Sequence, residues 1–463
     1  MQLQPHTTGS DIHMTCILAG ALFDSKRGEF LHDQAITVDT TTGLIVDVQA
    51  ITPEILRAVD KEHIDLRQMT VLPGFVDVHV HMFLHSYAET SWDDQVTKES
   101  LAERTIRATV HARKTLMAGF TTVRDLGTEG AADADIALRK CLSGPNPIIP
   151  GPRYFCASRA IVASGSYGPK SMLYPSQEGV DGVTGAEVAD GIDGCVKAVR
   201  RQIGAGADWV KIYADYKPRS RMAPVSSTVA TRNITTFNRG ELEAMVQTAH
   251  SYGVKAAAHA QTLQSFRNLL EVGIDSIEHS IANPIPEGDI IQLFRDWDTP
   301  RKSTIWVPTL AVYYKSKELA GGEDARTNAI WDQACRMFQR FLESGLETIA
   351  CGGDTGAFSH GENALEMKLM VRLGADWKKV LKWGTLGGWE CIRGIDWECY
   401  SNVSPGIRPD DHDVQFGCIR PGWSADLVAL EGNLEADFEA TLDRVRFVMK
   451  AGKVYKNCGK EVV

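Results

Sequence analysis

Short apolar segments alternate with longer segments of helical character through the middle of the chain. The apolar segments are rich in β-branched and aromatic residues, which is typical of strands. Glycine often stands directly before such a segment, where it would end a helix. Helices are predicted over 98–118, 184–205, 239–252 and 326–345. The predicted strands are LPGFVDVHV (72–80), FTTVRDL (120–126), RYFCAS (153–158), DWVKIYA (208–214), VKAAAHA (254–260), IDSIEHS (274–280), TIWVPTL (304–310) and TIACGGD (348–354).

Strands that alternate with helices in this way predict an α/β protein with a (β/α)8 TIM-like barrel. The alternative is a doubly wound open sheet, but no G-x-G-x-x-G motif follows the first strand. Both flanks of the chain are β-rich and lack helical periodicity, so they predict a small β-sandwich domain built from both termini. The predicted limits are 1–72 and 406–463 for the sandwich domain and 73–405 for the barrel.

Composition and charge narrow the choice of partners. The chain is 43% hydrophobic and 23% charged, as expected of a globular protein. Its net charge of −10 argues against nucleic acid or an anionic membrane as the main partner. The first residues lack a secretory signal pattern, and no apolar run reaches the roughly 18 residues of a membrane span. Ten scattered cysteines without metal-binding spacing favour a reduced, cytoplasmic protein.

Chemically reactive side chains stand at the carboxyl ends of the predicted strands, where a barrel carries its active site. His79 and His81 close the first strand and point to one face, because side chains in a strand repeat every two residues. Each such residue also has a structural interpretation: Lys211 could form an ion pair, and Asp354 could cap the next segment. Their convergence at one end of one barrel favours a functional site. The full set is His79, His81, Lys211, His259, His279 and Asp354.

Imidazoles and a carboxylate are ligands that suit Zn²⁺ or a similar divalent ion. Lys211 is not a ligand as an ammonium group, but burial among its apolar neighbours would lower its pKa. A neutral amine can take up CO₂ as a carbamate, and a carbamate can bridge two metal ions. The residues therefore predict a divalent-metal site, with Zn²⁺ favoured, at which a carbamate on Lys211 (N6-carboxylysine) could bridge two ions.

Several motifs taken together resemble the amidohydrolase superfamily, in its binuclear group with a carboxylated lysine, over nearly the whole chain. PGFVDVHVH resembles the signature strand of that family, and GADWVKIYADY resembles its bridging-lysine strand. AAHA and SIEH resemble its single-histidine strands, GGDTG its aspartate strand, and CIRPGWSADLVALEGNL the segment that returns to the small β-domain. VKIYADY, TFNRGEL and SHGENALEM are most similar to imidazolonepropionase-like and Xaa-Pro-dipeptidase-like members, a subgroup that includes fungal amidases acting on ochratoxin.

The resemblance implies a role for each residue. A hydroxide between the two ions would attack the substrate, and Asp354 would act as general base and then return the proton to the leaving amine. Asp354, His279 and His360 are the candidate catalytic residues. One ion would be held by His79, His81 and Asp354, the second by His259 and His279, with carboxylated Lys211 bridging them.

The candidate substrate contacts are Tyr167, Tyr213 and Tyr216. Tyr167 lies in VASGSYG (162–168), where many relatives carry a Gly-Gly-His loop, so the chain departs from the family pattern at this point.

The expected activity is hydrolysis of an amide bond in a small molecule, such as a dipeptide, an N-acyl amino acid or an ochratoxin-like toxin amide. The protein is expected to form a homo-oligomer. The enzymatic alternative is hydrolysis of a ring amide, a lactone or a phosphotriester, since the same hydroxide serves all three. The non-enzymatic alternative is a structural barrel without turnover, and retention of all six ligand positions argues against it.

Overall fold

The computed structural model describes residues 13–58, 63–168, 185–218, 232–297, 304–395 and 409–462. Within these ranges the protein has a mixed α/β fold. The domain limits at residues 72 and 405 remain predictions, and residue 405 lies outside the described ranges. No described helix combines the length and the apolarity that crossing a bilayer requires.

The secondary structure alternates between strands and helices over most of the described chain. The strands are β1 (Met14–Asp24), β2 (Glu29–Asp39), β3 (Leu44–Ala50), β4 (Ile64–Pro73), β5 (Phe75–Val80), β6 (Phe120–Asp125), β7 (Arg153–Cys156), β8 (Ala160–Val162), β9 (Ala186–Val188), β10 (Trp209–Tyr213), β11 (Asp215–Tyr216), β12 (Ile234–Thr235), β13 (Lys255–His259), β14 (Ser276–Glu278), β15 (Ile305–Val307), β16 (Leu427–Leu430), β17 (Val445–Lys450), β18 (Lys453–Asn457) and β19 (Lys460–Glu461). The helices are α1 (Pro53–Ala58), α2 (Trp92–Lys98), α3 (Leu101–Met117), α4 (Ala134–Leu142), α5 (Gly191–Ala205), α6 (Arg239–Ser251), α7 (Leu263–Val272), α8 (Glu287–Trp297), α9 (Leu310–Leu319), α10 (Ala325–Ser344), α11 (Leu365–Arg372), α12 (Trp377–Trp383), α13 (Leu386–Ile392) and α14 (Phe438–Leu442).

Strands from both ends of the chain form one sheet of eight strands, in the order β19–β18–β17–β16–β4–β1–β2–β3. Strand β4 joins the two halves, because it runs parallel to β1 and antiparallel to β16. Side chains such as Ile17, Ile36 and Phe447 form an apolar cluster on this sheet. The two ends of the chain therefore meet in one sheet, and a sandwich arrangement remains a prediction.

Two parallel sheets occupy the middle of the chain. One has the order β5–β6–β7, and the other has the order β15–β14–β13–β10–β8–β9. Single parallel bridges pair Trp306 of β15 with Ile349, and Val80 of β5 with Thr355. The segment 349–355 therefore lies between β15 and β5. A closed eight-stranded barrel remains a prediction.

Two of the predicted strands have a different form in the structure. The third, 153–158, ends at Cys156, and Ser158 follows with a φ of 58°, a left-handed conformation that interrupts an extended strand. The chain then resumes as β8, which pairs with β10. The eighth, 348–354, makes only the single bridge at Ile349 before it reaches Asp354, which has a φ of 63°.

Side chains along β10 alternate between the apolar core and the opposite face of the sheet. Val210 and Ile212 are fully buried in the apolar core that also contains side chains of α5 and α6. Burial of each contributes roughly 1.5–3 kcal/mol to stability. Lys211 and Tyr213 therefore point to the opposite face, where the carboxyl ends of the parallel strands meet.

Candidate metal centre

The ends of two segments form a compact group of possible metal ligands. The Nε2 atoms of His79 and His81 lie 3.6 and 3.2 Å from Oδ1 of Asp354. One ligand atom from each of the three residues lies within 4.8 Å of the others. A divalent ion about 2 Å from each ligand would fit this spacing.

Asp354 reaches the histidines because the glycine-rich segment before it packs closely against β5. A Cβ atom at Gly352 would lie 2.8 Å from Cβ of His79, which leaves no room for another residue type. The backbone N–H of Asp354 donates to the carbonyl of His79 at 2.9 Å. The positive φ of Asp354 is uncommon outside glycine, and such strained residues cluster at functional sites.

Two further histidines, His259 on β13 and His279 after β14, lie next to this group. Their ring centroids are 4.5 Å apart, and His279 is 5.0 Å from His79. His279 also has a positive φ, of 77°. The buried Nε2 of His259 has no hydrogen-bond partner among the described residues. An orphaned ring nitrogen of this kind is a suitable metal ligand.

Lys211 is buried, and its Nζ has no hydrogen-bond partner in the described part of the chain. Burial lowers the pKa of Lys211 to about 8, against the opposing attraction of the carboxylates of Glu278 and Asp354. The structural interpretation of Lys211 as a member of an ion pair is not met within the described residues. A buried amine without a partner is costly, and addition of CO₂ would turn it into a ligand.

Three of the histidines have their Nδ1 atoms held by groups that the sequence analysis did not identify. Because Nδ1 is engaged, Nε2 remains for the metal, and the ring orientation is fixed. The pairs are His79 Nδ1 with Glu278 Oε2 at 2.8 Å, His81 Nδ1 with the carbonyl of Gly127 at 2.7 Å, and His279 Nδ1 with Thr309 Oγ1 at 2.9 Å.

Glu278 is in turn held by a buried network. Its Oε1 accepts hydrogen bonds from Nη2 of Arg124 at 2.8 Å and from Oγ of Ser276 at 2.6 Å. Burial alone would raise the pKa of Glu278, but Arg124 and His79 outweigh it and lower the pKa to about 2. An acidic residue inside an apolar strand, directly before a candidate ligand, was the signal in the sequence that could have revealed this residue.

Asp77 shares a strand face with the two histidines of β5 but lies outside the three-residue ligand group. Its carboxylate accepts hydrogen bonds from Nδ2 of Asn363 at 2.8 Å and from Oγ1 of Thr355 at 3.2 Å. Burial raises the pKa of Asp77 to about 6. Asp77 therefore fixes the segment that carries Asp354.

The contact between Asp354 and His81 sets the charge of the group. Burial alone would raise the pKa of Asp354, but His79 and the hydrogen bond with His81 hold it well below its usual range. The pKa of His81 rises to about 9, because the contact with Asp354 outweighs the effect of burial. A divalent ion would replace this shared proton, so metal binding is expected to release protons.

A cavity of about 710 Å³ opens onto the group of ligands. This volume is suited to a small molecule. The ligand candidates that line it are His81, His259, His279 and Asp354.

All three tyrosines predicted as substrate contacts line the same cavity. Tyr167 lies 4.9 Å from Tyr213 and 5.5 Å from Tyr216, measured between ring centroids. Tyr213 also stacks on His259 at 4.7 Å. The three rings form an aromatic wall beside the ligands, and their role in substrate binding remains a prediction.

His360 is placed differently from the other candidate catalytic residues. It is not among the described residues that line the cavity. Its ring stacks on His111 with 4.3 Å between centroids, and its Nε2 lies 3.0 Å from the carbonyl of Leu84. These contacts are those of a packing group beneath the loop after β5, and a catalytic role for His360 remains a prediction.

The hydrogen bond between Thr309 and His279 gives the first testable prediction. Valine has the same shape and β-branching as threonine. The steric strain of the left-handed backbone at position 309 (φ 49°) is therefore the same in both. The Thr309→Val variant should bind metal about 10- to 100-fold more weakly, as is usual when a partner of a ligating histidine is lost. Titration of Zn²⁺ into chelator-stripped protein measures this effect. Thr309→Ser, which keeps the hydroxyl, should bind nearly as wild type, and unchanged affinity in Thr309→Val would contradict the role.

The donor set fits divalent ions. It combines imidazole nitrogens with a carboxylate, and two of its buried atoms, Nζ of Lys211 and Nε2 of His259, have no hydrogen-bond partner among the described residues. Together with parallel strands whose ends meet at one cavity, this defines the class of metal-dependent hydrolases.

The chain belongs to the amidohydrolase family, whose family model matches residues 70–395. It is a hydrolase that acts on amide bonds. Ochratoxinase of Aspergillus niger is 25% identical over 463 residues, with 96% of this chain and 87% of the relative covered.

Solved structures show the same relationship. A Xaa-Pro dipeptidase with methionine bound in its active site is 27% identical, has a TM-score of 0.74, and is matched over 96% of this chain and 100% of its own. The crystal structure of A. niger ochratoxinase has a TM-score of 0.73 at 23% identity, with 97% of this chain and 96% of that chain covered. The latter match supports the fold alone.

Proposed function

We propose that the protein hydrolyses the amide bond of a small molecule, namely a dipeptide, an N-acyl amino acid or an ochratoxin-like amide. One observation carries the proposal: Lys211, whose buried Nζ has no hydrogen-bond partner among the described residues, lies on the strand paired with that of His259, and His259 lines the cavity with His81, His279 and Asp354. The relatives named above are an ochratoxinase and a Xaa-Pro dipeptidase, which supports the same substrate class here.

Two divalent ions, with Zn²⁺ favoured, are proposed at this site. His79, His81 and Asp354 would hold one ion, His259 and His279 the second, and Lys211 as N6-carboxylysine would contribute to both. When bound, such ions lower the pKa of a water molecule and polarise the scissile carbonyl.

Residues of the chain supply the remaining steps. The carboxylate of Asp354 is ionised, so it can accept the proton of the attacking water and pass it to the leaving nitrogen. Tyr167, Tyr213 and Tyr216 would hold the apolar part of the substrate. Lys217 and Arg326 line the same cavity and would attract a carboxylate on the leaving group.

Metal content tests the centre directly. Elemental analysis of protein purified without chelator should give about two divalent ions per chain, as in two-metal hydrolases. A value near zero in fully active protein would refute the centre. One ion per chain would favour a mononuclear site, in which Lys211 is structural.

The substrate class is tested by a product screen. Metal-loaded protein is incubated with dipeptides, N-acyl amino acids, lactones and phosphotriesters, and the products are identified by mass spectrometry. Cleavage of amides alone is expected. Turnover confined to lactones or phosphotriesters would overturn the proposal.

A further inference from the structure

A buried carboxylate that belongs to neither proposed metal set faces the cavity. Glu129 lies in the loop after β6, is only 4% exposed and lines the cavity together with Asp354. Its φ of 50° is left-handed, a conformation that a non-glycine residue seldom adopts unless its surroundings hold it there. It lies outside the three-residue ligand group.

The hydrogen bonds of Glu129 come from neutral donors. Nε1 of Trp92 donates to Oε2 at 3.0 Å, the hydroxyl of Tyr167 donates to the same oxygen, and the hydroxyl of Tyr213 donates to Oε1 at 3.1 Å. An ionised carboxylate can accept about four such bonds. The three donors therefore orient Glu129 and leave one acceptor position on Oε1.

No cation among the described residues forms an ion pair with Glu129. Arg104 packs below the same loop, but its Nε and Nη2 donate to the carbonyls of Phe83 and Thr128 at 3.1 and 3.0 Å. Burial raises the pKa of Glu129, and the nearby charge of His81 offsets this effect only in part, so the ionised carboxylate is costly to bury. A cationic group on the substrate would offset this cost.

The carboxylate is close to the site of bond cleavage. Oε1 of Glu129 and Cε1 of His81 both lie within 4 Å of the point that a Cβ on Gly127 would occupy. Tyr213, which donates to Glu129, stacks on His259. In a dipeptide the α-amino nitrogen is only about 2.5 Å from the scissile carbonyl carbon, from standard backbone dimensions. A substrate held at the metal ligands can therefore place its amino group on the side of the cavity where Glu129 lies.

We propose that Glu129 binds the protonated α-amino group of the substrate. The inference rests on the proposed amidase function and narrows it: the substrates are dipeptides, or other α-aminoacyl amides, with a free amino terminus. Molecules with an acylated amino group keep one N–H donor but lack the positive charge that would offset the charge of Glu129. Glu129 is a specificity-determining residue in this scheme, while the three neutral donors hold its carboxylate in place.

The test compares matched substrates in metal-loaded protein. Dipeptides ending in proline, phenylalanine or leucine are supplied with a free or an N-acetylated amino terminus, so that the scissile bond is the same within each pair. The wild type should prefer the free form by about 10- to 100-fold in kcat/KM, the usual share of a charge-assisted hydrogen bond. Glu129→Gln should abolish this preference, measured as the ratio of kcat/KM for the two forms of each dipeptide in the same variant.

Tyr167→Phe is the matched control, because it removes one donor to Glu129 but keeps the charge. It should retain the preference for the free amine even where its overall rate falls. If Tyr167→Phe and Glu129→Gln lose the preference alike, Glu129 only positions the aromatic wall, and the inference is overturned. Equal rates for both forms in the wild type would overturn it without any variant.

Calorimetry separates this inference from the amidase proposal. Free L-leucine and L-phenylalanine should bind the wild type, and their N-acetyl derivatives should bind at least about tenfold more weakly, with the difference lost in Glu129→Gln. Amine-selective binding without hydrolysis of any dipeptide would remove the amidase function but keep the amine site. Hydrolysis of dipeptides without any selectivity for the free amine would keep the amidase function but remove the amine site.

Discussion

Replacement of Lys211 by alanine is expected to abolish metal binding at the bridged position and to lower turnover by more than about 1,000-fold, because activation of water by metal is lost. Nζ of Lys211 is buried and has no hydrogen-bond partner among the described residues. The variant is therefore expected to stay folded, since no hydrogen bond of Nζ is broken. Metal content and kcat are measured on the same preparation.

Chemical rescue distinguishes a carboxylated lysine from a structural one. The truncated side chain leaves a space next to Tyr213 that formate, acetate or propionate can enter, each of which supplies the missing carboxylate. Metal content and turnover of Lys211→Ala should both rise as the acid is added. Lys211→Arg is the control: it fills the space, stays charged and cannot carry a carbamate, so it should not be rescued. Full activity of Lys211→Ala without acid would remove the bridge from the site.

The sequence predicted the parts of the site that depend on local periodicity. Side chains in a strand alternate, so the apolar positions Val210 and Ile212 already imply that Lys211 faces away from the core. The same reasoning places His79 and His81 on one face of β5. These placements depend on neighbours in the sequence: the structure brings His79 and His81 together and buries Val210 and Ile212 in the core, while the roles of the site residues remain predictions.

The partners of the histidines depend on contacts between distant segments. Glu278 binds His79 across 199 positions, and Thr309 binds His279 from the segment after the next strand. No local pattern specifies such a pair, because it follows from the order of strands in the sheet. No local pattern predicts the left-handed conformation of Glu129. Side-chain sterics disfavour this conformation, and tertiary contacts impose it.

Positive φ accounts for the early end of the third predicted strand, which stops at Cys156, just before the left-handed Ser158. Asp354, the last residue of the eighth predicted strand, is left-handed as well. In both cases the residue stands at the carboxyl end of a strand, where the chain must turn sharply near the cavity. Strand propensity does not predict a turn that is stabilised by contacts between distant residues, such as those of Asp77 with Thr355 and Asn363.

Asp354→Asn is expected to keep most of its metal but to lose about 10²- to 10⁴-fold in turnover, the share of general acid–base catalysis. Asparagine has the same size and can still offer Oδ1 to an ion, and the histidines and Lys211 remain. An amide cannot accept the proton of the attacking water, whereas the carboxylate of Asp354, with its pKa held well below its usual range, is ionised and can.

Added metal separates the two roles of Asp354. The Thr309→Val variant is the matched control, because its defect is in metal affinity and saturating Zn²⁺ should restore its turnover. Asp354→Asn should remain slow at saturating Zn²⁺, with metal content equal to that of the wild type. If Zn²⁺ restored Asp354→Asn to the wild-type rate, Asp354 would be a ligand only. The proton would then have to be carried by another group at the cavity, such as the hydroxyl of Tyr167 or Tyr213, since both line it and His360 is not among the described residues that do.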